Sequence, residues 1–460
     1  MNVNELSVLS LNCWGLFLVS KEREFRLRAI ADAISHSKYD IVTLQEIWMW
    51  NDFEYLKTKV QSMLPFSQYF YSGALGSGLA ILSRYPIVST SYFRYTLAGR
   101  PLKIFHGDFY VGKGCASACI DHPEAGLIEV FTTHLHANYG DINEYEGHRV
   151  SECWELAGRL RASAAQGRQI IVTGDFNSIP TSYNYELLKS HAFVTDSWLE
   201  IHKNDIQNDP VDMQDADVIQ RFGITCDSPH NSWTIRKLKQ EAYAKTIGDR
   251  LDYIFYRRTP QLSCIQSRVV LTECIPGTQM SYSDHFGVHS VFAVYTESSA
   301  PAMASGDFAP QAQQLMDPRF SKLNLSVIHE ILELLQRDHV ATRKTANSLL
   351  ASFVFSVFVV IALCATIAIP AIWPVDQRSG FMPLFVVILA ELLLVMMAVV
   401  AVICLIVGFV FGRTEQKALR QFISEVETLL ASLQPESPPS RHDSISSDTS
   451  LLAQNDRLGW

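Results

Sequence analysis

Residues 169–177 are QIIVTGDFN, a short apolar run followed by a polar turn. The run QIIV has the length and the β-branched content of a buried strand. The turn TGDFN follows it, with Asp175 and Asn177 on opposite sides of Phe176. Polar side chains at the end of a strand are well placed to converge on a site above a sheet. This stretch therefore predicts a buried strand whose end contributes to a functional site.

Six further apolar runs occur in residues 1–297. Their turn-residue boundaries and their β-branched and aromatic content predict buried strands at SVLSLNCW, DIVTLQEIW, GLAILSRYP, LIEVFTTHLH, LDYIFYRR and GVHSVFAVYT. Helical patterns at 23–35 and 144–165 separate some of them, whereas a hairpin-like turn, DHPEAG at 121–126, joins two others. This alternation predicts one large α/β domain with mixed rather than purely parallel sheets.

The overall composition excludes several classes of protein. The chain has 460 residues, which is more than one ordinary domain contains, and a formal net charge of −9, which argues against a basic nucleic-acid-binding face. Nine cysteines occur without CxxC pairs, so we expect reduced thiols and a cytosolic soluble part. The start MNVNELSVLSLNCWG has no basic region and no long apolar run, and we therefore expect no signal peptide.

Four motifs at predicted strand ends supply the residue types that a phosphodiesterase needs: LNCW, LQE, TGDFN and SDH. Glu46 could hold Mg²⁺ loosely and leave coordination positions for water and a phosphate oxygen. Asp175 and Asn177 could hold the attacking water and a phosphoryl oxygen. A histidine such as His285 can transfer a proton near neutral pH, and Asp252 in RLDY is the candidate for fixing its tautomer.

Each of these motifs alone has an ordinary structural explanation. An Asp-x-Asn turn or a single Glu after a strand is more often a cap or a turn residue, and most histidines are structural. The full order is Asn, Glu, His, Asp-x-Asn, Asp-Tyr and Asp-His, always in strand-edge contexts. Coincidence explains that order poorly.

The series LNCW, LQEIW, THLHANY, TGDFN, RLDY and SDH resembles the endonuclease/exonuclease/phosphatase superfamily of Mg²⁺-dependent phosphodiesterases over about residues 6–295. Within it, LNCWGL, GSGLAILSRYPI, GDFYVGKG, THLHANY and HRVSECWEL are similar to the neutral sphingomyelinases with two C-terminal membrane spans. The resemblance implies a four-layer α/β sandwich of two mixed β-sheets flanked by helices. It also implies Mg²⁺, which Mn²⁺ could replace, and hydrolysis of sphingomyelin to ceramide and phosphocholine.

The same resemblance implies roles for individual residues. Glu46 matches the metal-binding glutamate, and Asn12 matches a residue beside the same metal–phosphate cluster. The implied catalytic residues are the water-positioning pair Asp175 and Asn177, the pair Asp284 and His285, the orienting residue Asp252 and the phosphate-contacting residue His134. His285 is the implied proton acceptor, although Asp175 stays open as the alternative base.

Residues 107–114, GDFYVGKG, fit the spacing Gly-x4-Gly-Lys of a nucleotide phosphate loop. Such a loop lies between a strand and a helix, whereas predicted strands follow here, and Gly114 occupies the position of the required Ser or Thr. We therefore expect no nucleotide. A similar loop lies near the active site of neutral sphingomyelinases, which implies that Lys113 engages a lipid phosphate or anionic headgroups while Asp108 fixes the loop. A hairpin tip without function is the alternative.

The chain beyond residue 297 has a different composition. Residues 298–345 predict a linker, TESSAPAMASGDFAPQAQQLMD in its main part, and an amphipathic helix that packs on a partner or on a bilayer surface. Residues 346–412 contain two apolar segments, about 348–369 and 384–411, each long enough to cross a hydrocarbon core of roughly 30 Å. Residues 413–460 predict a cytosolic helix and a disordered Ser/Pro-rich tail.

Most basic residues near the predicted spans lie at the outer ends of the pair, and few lie in the loop that connects the two spans. They are Arg343 and Lys344 before the first span and Arg413, Lys417 and Arg420 after the second, against Arg378 alone in the connecting loop. The positive-inside rule therefore predicts a multi-pass membrane protein with its catalytic domain and C-terminus in the cytosol, in the endoplasmic reticulum or another intracellular membrane. The oligomeric state stays open, and a dimer through the apolar faces of the spans is one arrangement.

Two alternatives to a sphingomyelinase remain. The first keeps the chemistry and changes the substrate to a lysophospholipid, an inositol phosphosphingolipid, an inositol phosphate or DNA, of which the acidic balance disfavours DNA. The second is a non-catalytic membrane scaffold descended from such an enzyme. The intact set of polar residues argues against the scaffold.

Overall fold

The computed structural model describes residues 4–17, 19–139, 144–203, 217–234, 247–296, 298–300, 312–372 and 384–434. The predicted disordered tail and the middle of the predicted linker lie outside these residues.

The described part of the chain contains twelve strands that form two sheets. They are β1 (Asn4–Asn12), β2 (Ile41–Gln45), β3 (Phe66–Tyr69), β4 (Ala80–Ser83), β5 (Ile87–Arg94), β6 (Gly114–His122), β7 (Gly126–His134), β8 (Gln169–Asp175), β9 (Thr195–Asp196), β10 (Asp252–Tyr256), β11 (Leu262–Val270) and β12 (Gly287–Val294).

Both sheets are mixed. The first has the order β11-β12-β1-β2-β4-β3, and the second has the order β5-β6-β7-β8-β10-β9. In the first sheet β1 and β2 are parallel, with Asn12 opposite Gln45 at their ends. In the second sheet β7 and β8 are parallel, with His134 opposite Asp175. The other neighbouring strands are antiparallel.

Eleven α-helices are present among the described residues. They are α1 (Arg23–Ser35), α2 (Trp50–Val60), α3 (Asp108–Val111), α4 (Glu146–Ala165), α5 (Tyr183–His191), α6 (Ser197–His202), α7 (Asp217–Phe222), α8 (Ala312–Met316), α9 (Leu325–Ile372), α10 (Leu384–Leu405) and α11 (Gly412–Leu433). Short 3-10 turns occur at Ile104–His106 and Pro318–Phe320, and a π-helical stretch, Ile406–Phe411, joins α10 to α11.

The two sheets pack face to face through apolar side chains such as Val8 and Ile81 from the first sheet and Val130 and Ile171 from the second. The outer face of the first sheet is covered by α1 and α2, and that of the second by α4 and α5. Central strands are buried on both faces, which explains why QIIV and IVTL are mostly apolar instead of alternating between apolar and polar residues. This arrangement confirms the four-layer α/β sandwich.

The two apolar helices form a hairpin. Gly412 follows the second apolar segment, and Ala346 precedes the first apolar segment. The two residues are so close that a Cβ added to Gly412 would lie 2.8 Å from the Cβ of Ala346. By length and composition, α9 and the helix formed by α10 and α11 could each span a membrane. Beyond the hairpin, α11 packs on the domain formed by the two sheets, because Leu419 and Phe422 share a buried cluster with Leu156 of α4.

The segment that the sequence predicts as a separate amphipathic helix is the first part of α9, which continues without interruption into the apolar segment. No Gly or Pro occurs between residues 325 and 369 to end the helix. The apolar face of this first part does not lie free for a bilayer. Ile328, Ile331 and Leu335 are buried in the cluster beside α4 and α5.

Candidate active site

The strand order brings the predicted site residues to one edge of the sandwich. Asn12 and Glu46 end the parallel pair β1 and β2, and His134 and Asp175 end the parallel pair β7 and β8. Antiparallel β10 starts at Asp252, directly opposite Asp175. His285 and Asp284 precede β12, which is antiparallel to β1. Carboxyl ends of some strands and amino ends of others therefore meet at the same place.

Asn12 links the two sheets. Its side-chain nitrogen donates to Glu46 Oε1 at 3.1 Å and to Asp175 Oδ2 at 3.0 Å. Its side-chain oxygen accepts from the backbone N–H of Trp14 at 3.0 Å. In this arrangement Asn12 positions two carboxylates, and direct metal ligation would require its amide to turn over. Its place beside a metal–phosphate cluster stays a prediction.

A histidine lies between two carboxylates at the centre of the site. His285 Nδ1 lies 2.8 Å from Asp252 Oδ2, and His285 Nε2 lies 3.8 Å from Asp175 Oδ2. Asp252 is itself fixed, since its backbone N–H donates to Thr225 Oγ1 at 3.1 Å. The contact with Asp252 assigns the hydrogen to Nδ1 and directs Nε2 toward Asp175.

The ionisation of this cluster is coupled. Burial by itself lowers the pKa of His285, but the nearby Cys226 and the carboxylates of Asp252 and Asp175 outweigh it and raise that pKa well above its ordinary value. Burial raises the pKa of Cys226 to about 12, so its thiol is neutral at pH 7 and the two carboxylates are the effective cause. Burial and the neighbouring Asp252 also raise the pKa of Asp175. The charges of Asp175 and His285 therefore depend on each other.

His134 and Asn177 complete the surroundings of Asp175. His134 Nε2 lies 3.5 Å from Asp175 Oδ2, and burial lowers the pKa of His134 well below its ordinary value, so its imidazole is neutral. The Asn177 backbone N–H donates to Asp175 Oδ1 at 2.9 Å. The Asn177 side chain donates to the carbonyl oxygen of Leu135 at 3.0 Å. All three side chains therefore share one small polar space.

Lys113 is not at an exposed loop tip. Its side chain is buried, its Nζ lies 2.8 Å from Asp108 Oδ1, and it donates to the carbonyl oxygen of Leu135 at 2.6 Å. The same carbonyl accepts from Asn177. The short helix α3 and the start of β6 turn this lysine inward. Its engagement of a lipid phosphate or of anionic headgroups stays a prediction, and Asp108, which was expected to fix the loop, binds the lysine itself.

Two residues of the site have a strained backbone. Glu46 and Asn177 have positive φ angles of 56° and 44°, which non-glycine residues rarely adopt. Gly174 has a φ of +141°, and an added Cβ would stand 2.0 Å from the carbonyl oxygen of Thr133. The glycine of TGDFN is thus required by close approach of β7, and the strain on Glu46 and Asn177 aims their side chains at the common edge.

Three residues at the site were given no role from the sequence: Cys226, Ser283 and Glu152. Cys226 Sγ lies 3.4 Å from His285 Nε2, and Ser283 Oγ donates to the carbonyl oxygen of Asn12 at 2.7 Å. Glu152, in the middle of α4, accepts from the backbone N–H of His136 at 3.0 Å. Ser283 and Glu152 lie in the stretches SDH and HRVSECWEL, which carry the family resemblance and could have pointed to them, whereas none of the quoted motifs contains Cys226.

Burial raises the pKa of Glu152 to about 8 from an ordinary 4.5. Between these values the folded state holds a proton that the unfolded state has lost, so this group lowers stability as pH rises, by about 1.4 kcal/mol per pH unit. We expect Glu152→Gln to remove this penalty. The midpoint temperature of thermal unfolding in detergent should therefore rise relative to that of the unaltered protein as the pH is raised from 5 to 8.

Glu129 provides the matched control, because it is buried but paired with Arg168 at 2.6 Å and bonded to Ser117 at 2.9 Å. Glu129→Gln should lower the midpoint at all these pH values. A Glu152→Gln curve that runs parallel to that of the unaltered protein would show that Glu152 is ionised in the folded state.

The donor set fits a divalent cation with oxygen ligands. Burial and the charge of Asp284 raise the pKa of Glu46, a cost that a bound cation would offset. Ligand atoms of Asp175, Asp252 and His285 lie within 4.8 Å of one another. The second oxygen of Asp252, Oδ1, is buried and has no hydrogen-bond partner among the described residues. Carboxylate oxygens are the ligands of Mg²⁺ and similar hard cations.

Comparison with known proteins gives the family. The sequence matches the Endonuclease/Exonuclease/phosphatase family over residues 9–285. Inositol phosphosphingolipids phospholipase C of Schizosaccharomyces pombe is 33% identical over 426 residues, 92% of this chain and 94% of that protein. A putative neutral sphingomyelinase of Caenorhabditis elegans is 36% identical over 301 residues, 63% of this chain and 67% of that protein.

Among solved structures, sphingomyelinase C from Streptomyces griseocarneus has 16% sequence identity and a TM-score of 0.43, over 63% of this chain and 99% of that chain. The family match begins before Asn12 and ends at His285, so it contains the whole set of converging residues described above. The chain therefore belongs to the endonuclease/exonuclease/phosphatase family, and it is a hydrolase.

Proposed function

We propose that this chain is a membrane-anchored, Mg²⁺-dependent neutral sphingomyelinase that hydrolyses sphingomyelin to ceramide and phosphocholine. The observation that carries the proposal is the line Asp252–His285–Asp175 beside Glu46, at the edge where the two sheets meet. Relatives named for phosphosphingolipid hydrolysis support the choice of lipid.

The chain's own residues supply the proton transfer and the positioning. Asp252 holds the His285 tautomer, and Asp175 with Asn177 holds a water molecule toward the phosphorus. The water oxygen forms a new bond to phosphorus while the bond from phosphorus to the ceramide oxygen breaks. Asp175 or His285 takes the water proton, and the ceramide oxygen must gain one. Mg²⁺ bound at Glu46 would stabilise the charge on a non-bridging phosphate oxygen.

Two further residues fit the phosphate itself. His134 is neutral because burial lowers its pKa, so it can donate a hydrogen bond to a phosphate oxygen without changing the charge of the site. Lys113, buried beside Asp108, supplies a positive charge in a space of low dielectric constant. In this proposal Asp284 acts on Glu46 by its charge, and its own contact with substrate is not needed.

The membrane part of the proposal rests on α9 and the helix formed by α10 and α11, which are long and apolar enough to span a bilayer. The basic residues beside both apolar segments support cytosolic placement of the catalytic domain and of the C-terminus. Such an enzyme acts on lipid in the membrane that holds it.

An inositol phosphosphingolipid is the second candidate substrate, and one observation favours it. The S. pombe relative aligns over 92% of this chain, which includes the apolar helices, whereas the C. elegans relative aligns over 63%. Both substrates would yield ceramide by the same cleavage, and they differ in the headgroup released.

Headgroup release from defined lipids in mixed micelles tests the proposal. Purified full-length protein is expected to release phosphocholine from sphingomyelin with Mg²⁺, to release none in EDTA, and to leave phosphatidylcholine and ATP intact. Release only from an inositol phosphosphingolipid would move the assignment to the second candidate. Folded protein that cleaves none of these lipids would contradict the enzymatic proposal and leave a membrane scaffold.

A further inference from the structure

An exposed apolar surface lies in the loop between β5 and β6. Phe105 is fully exposed, and Leu102 and Ile104 are each at least half exposed. Tyr71 and Leu75, in the loop between β3 and β4, are also exposed. We call these five side chains the apolar rim. Contiguous exposed apolar side chains on a folded domain mark a place where another apolar surface binds.

The two loops of the rim are fastened to the same short helix, α3. The Tyr110 carbonyl oxygen accepts the backbone N–H groups of Ala74 at 2.8 Å and Leu75 at 3.2 Å. The Tyr110 hydroxyl donates to the carbonyl oxygen of Pro101 at 2.7 Å. The rim is therefore one surface held around α3, and not two independent loops.

The same short helix contacts the end of the second apolar run. The Phe109 ring packs edge-on against the Phe411 ring, with centroids 5.3 Å apart. Arg100, two residues before Leu102, donates to Glu415 Oε1 at 3.0 Å. Phe411 is followed by Gly412 and Arg413, where the apolar run stops.

This contact fixes the depth of the rim relative to a bilayer. The last apolar residue of a span, with an arginine two residues further on, lies at the boundary between hydrocarbon and headgroups. Phe109 contacts that residue, so the loops fastened to α3 lie at nearly the same level. The free energy decreases when aromatic and aliphatic side chains at this level move from water into the lipid interface.

We propose that the apolar rim inserts into the interface of the bilayer that holds the spans, and so keeps the entrance of the catalytic site at the membrane surface. The inference rests on the proposed membrane anchoring. The occupant is lipid because the rim continues the apolar surface of the spans. Asp108, which binds Lys113, belongs to α3 itself, so the rim and the phosphate-facing lysine are joined through one helical turn.

Site-directed spin labelling in proteoliposomes tests the depth. All nine cysteines are reduced, and Cys274 and Cys364 are the exposed ones, so a Cys274→Ser, Cys364→Ala background is suitable. A nitroxide on Phe105→Cys is expected to collide with oxygen and to be protected from a water-soluble nickel chelate. Val88→Cys is the matched control, because this exposed residue lies at the far end of β5, about 20 Å from Arg94.

A third label, Phe358→Cys within the first apolar segment, reports insertion itself. Lipid exposure at Phe358 with water exposure at Phe105 equal to that at Val88 would overturn the rim proposal alone. Water exposure at all three positions would overturn both the anchoring and the rim. A Phe105 label shielded from both reagents would indicate a protein partner, and this result also contradicts lipid insertion.

The functional consequence is measured as a ratio of rates. The triple variant Leu102→Ser, Ile104→Ser, Phe105→Ser should lower the ratio of sphingomyelin hydrolysis in vesicles to hydrolysis of a short-chain soluble analogue about tenfold. Val88→Ser should leave the ratio unchanged, and an unchanged ratio in the triple variant would overturn the proposal. If the unaltered protein hydrolyses neither substrate, the proposed function has failed, while the labels still decide where the rim lies.

Discussion

Replacing His285 with alanine is expected to lower kcat for sphingomyelin hydrolysis about a thousandfold, the middle of the range for a general acid–base residue. His285 Nε2 faces Asp175, and its Nδ1 is fixed by Asp252 at 2.8 Å. Alanine removes the imidazole that faces Asp175 and that would accept the water proton. KM should change little, since the side chain acts on the water proton and not on the headgroup.

His289 offers the matched control. It is also buried and lies on β12, four residues further along, with its Nε2 2.9 Å from Ser7 Oγ. His289→Ala should reduce stability and leave the kcat of the folded fraction within a few fold of normal. A His285→Ala enzyme that keeps full turnover would remove His285 from the mechanism and would favour Asp175 as the base.

Two measurements separate the role of Asp252 from that of His285: the pH–rate profile of the Asp252→Asn enzyme, and the kcat of the variant that carries both substitutions. Asp252→Asn removes a carboxylate that raises the pKa of His285, so the acid limb of the pH–rate profile should move to lower pH. Once His285 is alanine, the same change should have little further effect on kcat, because a positioning residue acts only through its partner. If the fold-losses in kcat of the two single variants multiply in the double variant, Asp252 acts directly on the substrate or the metal.

Strand content and the strand-edge site could be predicted because both are local properties. Buried strands such as QIIV are mostly apolar, and site residues such as Asp175 and Glu46 follow them closely in the sequence. The convergence of these residues required the pairing of β1 with β2 and of β7 with β8, which comes from sheet topology. The family resemblance supplied that topology, and spacing alone did not.

The surroundings of two segments depend on contacts that the sequence does not reveal. Lys113 was expected to engage a lipid phosphate or anionic headgroups, and the structure places it inside the domain, bound to the carbonyl oxygen of Leu135 and the carboxylate of Asp108. The first part of α9 was expected on a partner or a bilayer, yet Ile328 and Leu335 bury themselves beside α4. An apolar helical face predicts burial, but its sequence does not identify the surface that covers it.

Replacing Glu46 with glutamine is expected to lower kcat/KM about a thousandfold, since several kcal/mol of transition-state stabilisation depend on the bound metal ion. Glu46 Oε1 lies 3.1 Å from the Asn12 amide, which also binds Asp175, so this carboxylate faces the centre of the site. The neutral amide keeps the size and the hydrogen bond but removes the charge that holds a cation. Metal dependence should therefore weaken together with turnover.

Stability without metal should change in the opposite direction. Burial and the charge of Asp284 raise the pKa of Glu46, which means that its ionised form is a cost to the metal-free fold. Glu46→Gln protein in EDTA should therefore melt at the same temperature as the unaltered protein or higher, while the rise in melting temperature on adding Mg²⁺ should disappear. Glu152→Gln, which also removes a buried carboxylate, should keep that Mg²⁺-dependent rise. A Glu46→Gln protein that still gains stability from Mg²⁺ would place the metal at Asp175, Asp252 and His285 instead, the other group of side chains close enough to hold it.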